Sequence, residues 1–335
     1  AAGNRAMVKM SENSRHLAAL LIDKMPAYFP PEKLQFFDET GGVGVEFSKL
    51  PFDHLLFTGS GATGRAVMAA AAQNLCPVTL ELGGKAPAVV CDDFPLATAA
   101  ERILFVKCLN AGQICTTVDH VFVPRAQVDE FAKLAAQIVP QRYPRLDSPD
   151  YTSIVDQRSF DRLVGAMDDA RSRGATLINL IDSGPAHDRA SRKIAPHVVL
   201  NAPWDSELLT REIFGPILPV VAYDTLDEVI ARINSGPRPL ALYPFSHDNA
   251  RIERLLTHVM SGGVSINDAL FHVGQHDLPF GGIGESGMGH YHGREGFQTF
   301  SKLRPIFHQA RLSSVGLLAP PYGRLAERML AFLMR

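Results

Sequence analysis

The sequence predicts an α/β protein with a parallel sheet, and three observations lead to that class. Short apolar runs alternate with helix-period segments along most of the chain. A glycine-rich turn, "FTGSGATGR" from Phe57 to Arg65, joins one such run to a helix-like stretch. Three further segments carry apolar residues at i, i+3, i+4 and i+7, the stripe by which a helix packs on a core: Phe131, Leu134, Ala135 and Ile138; Phe160, Leu163, Val164 and Met167; Ile252, Leu255, Leu256 and Val259.

In chain order, Ser11–Met25 reads as a helix. "HLLFTG" is a buried strand, followed by a helix over Gly64–Asn74 and by the strands "VTLEL" and "APAVVCD". Leu96–Leu109 is a long apolar helix that Gly112 would stop. "HVFVP" is a strand closed by proline, and the first two stripes above follow it as helices. "TLINL", "HVVLN", "PILPVVAY" and "LALYPFS" complete the strands, and the third stripe follows. The stretch Leu278–Gly296 holds seven glycines in 19 residues, too many for a regular element, and reads as an ordered loop that lets backbone approach closely. The tail "PPYGRLAERMLAFLMR" opens on a turn and becomes a short amphipathic helix with Leu325, Met329, Phe332 and Leu333 toward one side.

Size and composition bound the function. At 335 residues the chain exceeds one ordinary core, so two domains are expected. Its net charge of −2 implies no polyelectrolyte partner, and no basic run with interleaved aromatics supports nucleic-acid binding. Four cysteines (Cys76, Cys91, Cys108, Cys115) form neither a disulfide framework nor a zinc spacing, so the expectation is a reducing, cytoplasmic setting with no metal. The histidines of "HYHGRE" (His290, His292) are read as structural. No apolar run reaches the length of a membrane span, and no secretory signal pattern opens the chain.

Two features point to chemistry. Gly59, Gly61 and Gly64 spell G-x-G-x-x-G between a strand and a helix, the context of a dinucleotide phosphate site. An acid follows at Glu81, which on that pattern would hold ribose hydroxyls, or would instead do chemistry. In "NAGQICTT", Cys115 lies just beyond a helix among small and hydroxyl residues, a setting for a thiol nucleophile. Such a thiol needs a lowered pKa and donors for an oxyanion. Cys76, Cys91 and Cys108 read as small buried hydrophobes.

The ordered motifs "FTGS…G", "LELGGK", "GQIC", "EIFGP" (Glu212–Pro216) and "LPFGG" resemble the aldehyde dehydrogenase superfamily over residues 1 to about 307. "AAGNRAMVKMSE", "PFDHLLFTGS" and "GMGHYHGREGF" look like its coniferyl aldehyde dehydrogenase group. The resemblance implies an incomplete Rossmann-type cofactor domain (1–82), an α/β catalytic domain with a parallel sheet (83–282), a return segment with an oligomerisation strand, "TFSKLRPIF" (283–310), and a tail helix (311–335). It moves Glu81 from ribose ligand to the general base that activates water, and makes Cys115 the nucleophile. It assigns the cofactor pyrophosphate to Gly59 and Ser60, with Gly64 and Leu82 beside it, and the adenosine ribose to Lys9 and Glu12. The nicotinamide ribose falls to Glu212, and Phe214 lies near the ring. Asn267 and Phe280 are candidates for an aromatic-aldehyde pocket, or for core and turn roles.

The implied reaction is NAD(P)-dependent oxidation of an aromatic or phenylpropanoid aldehyde to the acid. The thiolate adds to the carbonyl, hydride leaves, and a thioester remains that water hydrolyses. For that, burial must raise Glu81 toward neutrality. NAD is expected over NADP, because Glu12 repels a 2′-phosphate, although Lys9 would attract one. A homo-oligomer, dimer or tetramer, is implied by the family alone. The family also carries an N-terminal part, with an oxyanion-hole Asn, ahead of the "AGN" motif, so the resemblance implies a truncated chain; Asn4 is not that residue. Two other readings are a catalytically impaired binding or subunit-interaction protein, and a cofactor-independent thiol esterase using Cys115 and Glu81.

Overall fold

The computed structural model describes residues 2–39, 42–181, 184–313, 316 and 319–334. Two compact units emerge, Ala1–Phe300 and Ser301–Arg335. The first begins with β1 (Ala6–Lys9), α1 (Arg15–Lys24) and β2 (Leu34–Phe37), then α2 (Val43–Ser48), β3 (Leu55–Gly59), α3 (Gly61–Ala72) and β4 (Val78–Leu82). It continues through β5 (Pro87–Val90), α4 (Leu96–Cys108), β6 (His120–Pro124), α5 (Val128–Arg142), α6 (Gln157–Ser172) and β7 (Thr176–Asn179). A small hairpin, β8 (His187–Asp188) and β9 (Lys193–Ile194), leads to β10 (His197–Leu200) and α7 (Glu207–Thr210). It ends with β11 (Ile217–Tyr223), α8 (Leu226–Asn234), β12 (Ala241–Phe245), α9 (Asn249–His258), β13 (Gly263–Val264), β14 (Gly287–Met288) and α10 (Gly293–Thr299). The second unit holds α11 (Arg324–Leu333).

The main sheet has seven strands in the order β13-β12-β5-β6-β11-β10-β7, parallel except for β7, which runs antiparallel to β10. Both faces are buried, which is why its strands read as nearly continuous apolar runs. The two-residue period sorts the side chains. Val121 and Val123 of β6 pack with Ile103, Leu104, Phe131 and Phe160 of the helices on one face, while Phe122 between them packs with Val229, Ile233 and Leu255 on the other. Each such apolar side chain, fully buried, stabilises the fold by about 1.5–3 kcal/mol against an exposed reference.

A three-stranded sheet, β14-β4-β3, carries the glycine-rich turn. β3 and β4 are parallel, with Thr58 opposite Glu81. β1 and β2 form a separate parallel pair.

The α/β reading holds, with local differences. Helix α3 starts at Gly61 rather than Gly64, because Ser60 caps it by accepting from Thr63 N–H at 3.3 Å. Helix α4 ends at Cys108, before Gly112 is reached; Leu109 turns out at ψ 127°. The glycine-rich stretch is not wholly irregular. Gly287 and Met288 pair antiparallel with Glu81 and Leu80, Phe280 bridges Tyr291, and α10 starts at Gly293. The expected strand "TFSKLRPIF" is absent: Thr299 ends α10 and residues 302–310 have no regular structure. An edge strand exists only against a partner strand, and a single chain supplies none there.

Candidate active site

The thiol is positioned by an unusual turn between α4 and β6. Asn110, Ala111 and Gly112 all adopt left-handed backbone, with φ of 51°, 52° and 72°. Two of them are not glycine, and such conformations persist only where the surroundings hold them. Gln113 does the holding. Its Nε2 donates to Asn110 O and Ser153 O, both at 3.0 Å, and its Oε1 accepts from Val155 N–H at 2.8 Å. Gly112 is fixed by space as well as by φ, since a Cβ there would stand 2.3 Å from Gly215 O. The segment before Cys115 therefore lies backbone against backbone on the "EIFGP" loop. Beyond Cys115, the Tyr243 hydroxyl donates to Thr116 O at 2.5 Å.

Two carboxylates act on this thiol. Glu81, on β4, is 4% exposed, and neither of its carboxylate oxygens has a hydrogen-bond partner. Its cross-strand neighbour on β14 is Gly287, which has no side chain to crowd the carboxylate from that side. Burial raises Glu81 from the ordinary carboxylate range to about 7. Glu212 is raised to about 7 as well, by burial first and then by the Asp119 charge. It lies against the backbone after β4, where a Cβ on Gly83 would stand 1.8 Å from Glu212 Oε2. Its Oε1 is buried without a partner.

The half-buried Cys115 thiol is raised, not lowered: burial comes first, then the charges of Glu212 and Glu81. The lowered thiol that nucleophilic chemistry needs is not what these surroundings produce, since burial and both acids act the other way.

Under the Glu212 loop runs a buried charge network. Asp119 is fully buried, pairs with Lys85, and accepts from Ile213 N–H at 2.9 Å through Oδ1. Lys85 also donates to Leu208 O and Arg211 O, both at 3.0 Å. Burial pushes the Asp119 carboxyl up, but the Lys85 charge first and then the His120 ring hold it well below its usual range. Lys107, in the core stripe of α4, has an ammonium with no hydrogen-bond partner and is lowered to about 8 by burial.

Gly59 and Ser60 stand at the N-terminus of α3, and Gly64 packs on Leu82. Lys9 ends β1 and forms an ion pair with Glu39. Ser11, Glu12, Arg15, Asp38 and Glu39 line a pocket of about 410 Å³. Phe214 has φ 50°. Asn267 is a turn residue with φ 60°, and its Oδ1 accepts from Ser246 N–H at 2.8 Å, which commits the side chain to structure. The Phe280 ring lies 5.7 Å from Tyr291 and 5.6 Å from His292. Asn4 donates to Phe300 O at 2.7 Å. Among the described residues no group of three His, Cys, Asp or Glu side chains is arranged for a metal, and no helix is long and apolar enough to cross a membrane.

Residues 1–306 match the aldehyde dehydrogenase family. The chain belongs to that family. A probable coniferyl aldehyde dehydrogenase of Pseudomonas aeruginosa is 49% identical over 330 residues, spanning 98% of this chain and 68% of the relative. A coniferyl aldehyde dehydrogenase of a Pseudomonas species is 43% identical over 337 residues, with 100% and 70% coverage. Among solved structures, the substrate-bound state of Staphylococcus aureus AldH superposes with a TM-score of 0.90 at 36% identity, over 99% of this chain and 71% of that one. A Mycobacterium tuberculosis aldehyde dehydrogenase complexed with NAD+ gives 0.80 at 27% identity, over 91% and 64%. As an aldehyde dehydrogenase-type enzyme, the chain is built for aldehyde oxidation.

Sequence reasoning missed several residues. In sequence Tyr291 is one residue of a histidine-rich loop, yet burial and the charges of Glu81 and Cys115 push its phenol up to about 12. Its signal is the bridge to Phe280, which is non-local and absent from any sequence pattern. Lys107 did leave a trace, as a charge one helical turn beyond the buried Ile103. Gln113 lies inside the "GQIC" motif, and Asp119 left none.

Proposed function

We propose that this chain oxidises an aromatic aldehyde, of the coniferyl type, to its carboxylic acid, with Cys115 as nucleophile and Glu81 as general base. The observation that carries the reading is Glu81: a buried carboxylate raised to about 7, with both oxygens unpartnered, whose charge reaches the Cys115 thiol. A base that titrates near neutrality is both available and strong enough to take a proton from water. Glu81 takes the Cys115 proton and passes it to solvent, and Sγ adds to the aldehyde carbon, giving a thiohemiacetal. Loss of hydride leaves a thioester on Sγ. Glu81 then takes a proton from water, the hydroxide displaces Sγ, and the acid departs. Phe280 and Tyr291 offer aromatic surface near these groups. The coniferyl type is supported by the relatives at 49% and 43% identity.

The residues present fit a nicotinamide dinucleotide. The N-terminus of α3 suits a pyrophosphate, and the orphaned Glu212 Oε1 suits a ribose hydroxyl. The pocket at Glu12, Asp38 and Glu39 suits a ribose without a 2′-phosphate, since Lys9 is already paired with Glu39. When bound, the cofactor supplies the hydride acceptor. NAD is the reading these charges favour.

The deciding experiment is a single turnover with NAD and coniferyl aldehyde, following NADH and weighing the acid-quenched protein. A burst of NADH with an acyl adduct on Cys115 supports the reading; folded protein giving neither overturns it. A catalytically impaired binding protein is the second reading. It is favoured by the raised thiol.

A further inference from the structure

A second cavity, of about 350 Å³, borders the buried Asp119 network at Lys85 and His120. Its wall joins the starts of β5 and β6, the loop before α7 and the last turn of α8: Lys85, His120, Phe122, Trp204, Arg232 and Ile233 face it. That volume is within the range of small-molecule sites.

The cavity combines one uncommitted cation with flat apolar walls. Lys85 is satisfied, with Asp119 and two carbonyls as acceptors. Arg232 is not. Among the described residues no carboxylate pairs with it. Its natural partner by spacing is Glu228, one turn back on α8. That carboxylate is turned to the N-terminus of α8 instead, where Oε2 accepts from Asp224 N–H at 2.9 Å and Thr225 N–H at 3.4 Å in a capping box. The guanidinium lies 3.4 Å from the centroid of the Trp204 ring. Stacking of this kind holds the planar fork in place and leaves its edge free to take two oxygens side by side. Among the described residues no acidic side chain lines the cavity. Phe122 and Ile233 supply apolar surface for a ring.

We propose that this cavity is a binding site for a small aromatic carboxylate, with the carboxylate on Arg232 and the ring against Phe122, Trp204 and Ile233. The acid released by aldehyde oxidation belongs to that class. The proposal stands whether or not Cys115 is the nucleophile.

The chain's single tryptophan is Trp204, so one signal reports on the site. The intact chain is titrated with sodium benzoate while Trp204 emission is read. A saturable change is expected, unaltered by prior alkylation of Cys115 with iodoacetamide, which separates this site from the catalytic candidate. Benzamide, isosteric and neutral, should give no saturable change. Arg232→Met should weaken benzoate by about tenfold or more, the scale of a charged hydrogen bond, and Arg232→Lys should restore part of it. If Arg232→Met fails to show a thermal transition like the parent chain, the single indole N–H resonance of the parent serves, and it should shift with benzoate and not with benzamide. Absence of a saturable response to benzoate, equal affinity for benzamide, or undiminished binding by folded Arg232→Met would each overturn the proposal. Inorganic phosphate binding as tightly as benzoate would overturn the aromatic part.

Discussion

At the scale of single residues, the site is governed by burial of acids beside a thiol. Glu81 and Glu212 are both raised to about 7. In each case the folded chain holds a proton that the unfolded chain, with the group near 4.5, has already released. Their contribution to stability is therefore complete below about pH 4.5 and lost as pH rises through about 7. Glu81→Gln, which cannot ionise, should raise the melting temperature more at pH 8 than at pH 5; an equal shift at both would remove the argument. The same group gives a kinetic signature. Release of acid from the Cys115 thioester should accelerate up to about pH 7 and level off above it. Glu81→Gln should slow that step by about 10²–10⁴ and abolish the inflection while acyl-enzyme still forms. At Cys115, the Glu212 charge adds to burial in raising the thiol. Glu212→Gln should then speed alkylation by iodoacetamide several-fold at pH 8, where Glu212 is otherwise ionised, and an unchanged rate would mean burial alone sets the thiol.

At the scale of elements, the turn after α4 and the loop before β11 behave as one unit. Gly112 stands against Gly215 O, Gln113 ties the left-handed run to Ser153 and Val155, and Asp119 at the foot of β6 holds Ile213 N–H next to Glu212. The Gln113 contacts span 40 and 42 residues of chain, and the Asp119–Ile213 contact spans 94. Gly112→Ala meets both penalties, the 2.3 Å approach and the positive φ. It should cost about 1–3 kcal/mol in strain, read as a fall in melting temperature, and should depress turnover further by moving Sγ. A variant with parental turnover would show that this approach does not fix the thiol.

At the scale of the whole molecule, charge and apolar surface are unevenly distributed. Ser301–Arg335 carries six Lys or Arg against Glu327 alone, so the remaining chain is markedly acidic. Leu303, Ile306, Phe307 and Leu312 are at least 66% exposed, and Leu17 and Leu20 of α1 and Leu56 of β3 are 45–53% exposed. A homo-oligomer remains our proposal for what covers such surface, and sedimentation at two ionic strengths would weigh it. Binding of NAD should stabilise the fold by about 2.7 kcal/mol at a hundred times its dissociation constant. A melting curve that does not move with NAD would turn the balance to the impaired reading.

The sequence by itself determined the class and most of the elements. Strands buried on both faces and helices with one buried stripe leave periodic marks that need no partner to be read, and Val121, Phe122 and Val123 or Phe160, Leu163 and Met167 bear them plainly. The motifs around Gly59, Glu81, Cys115 and Glu212 were equally legible, because each is a short run of adjacent residues. What only the tertiary structure decided lies between distant segments. It raised the thiol that chemistry would want lowered, set Tyr291 within reach of the Glu81 charge, tied Asn267 Oδ1 to Ser246, and left Arg232 without the partner that its own helix offered. Burial, charge and spatial approach depend on what a side chain faces, and a sequence records only what it follows.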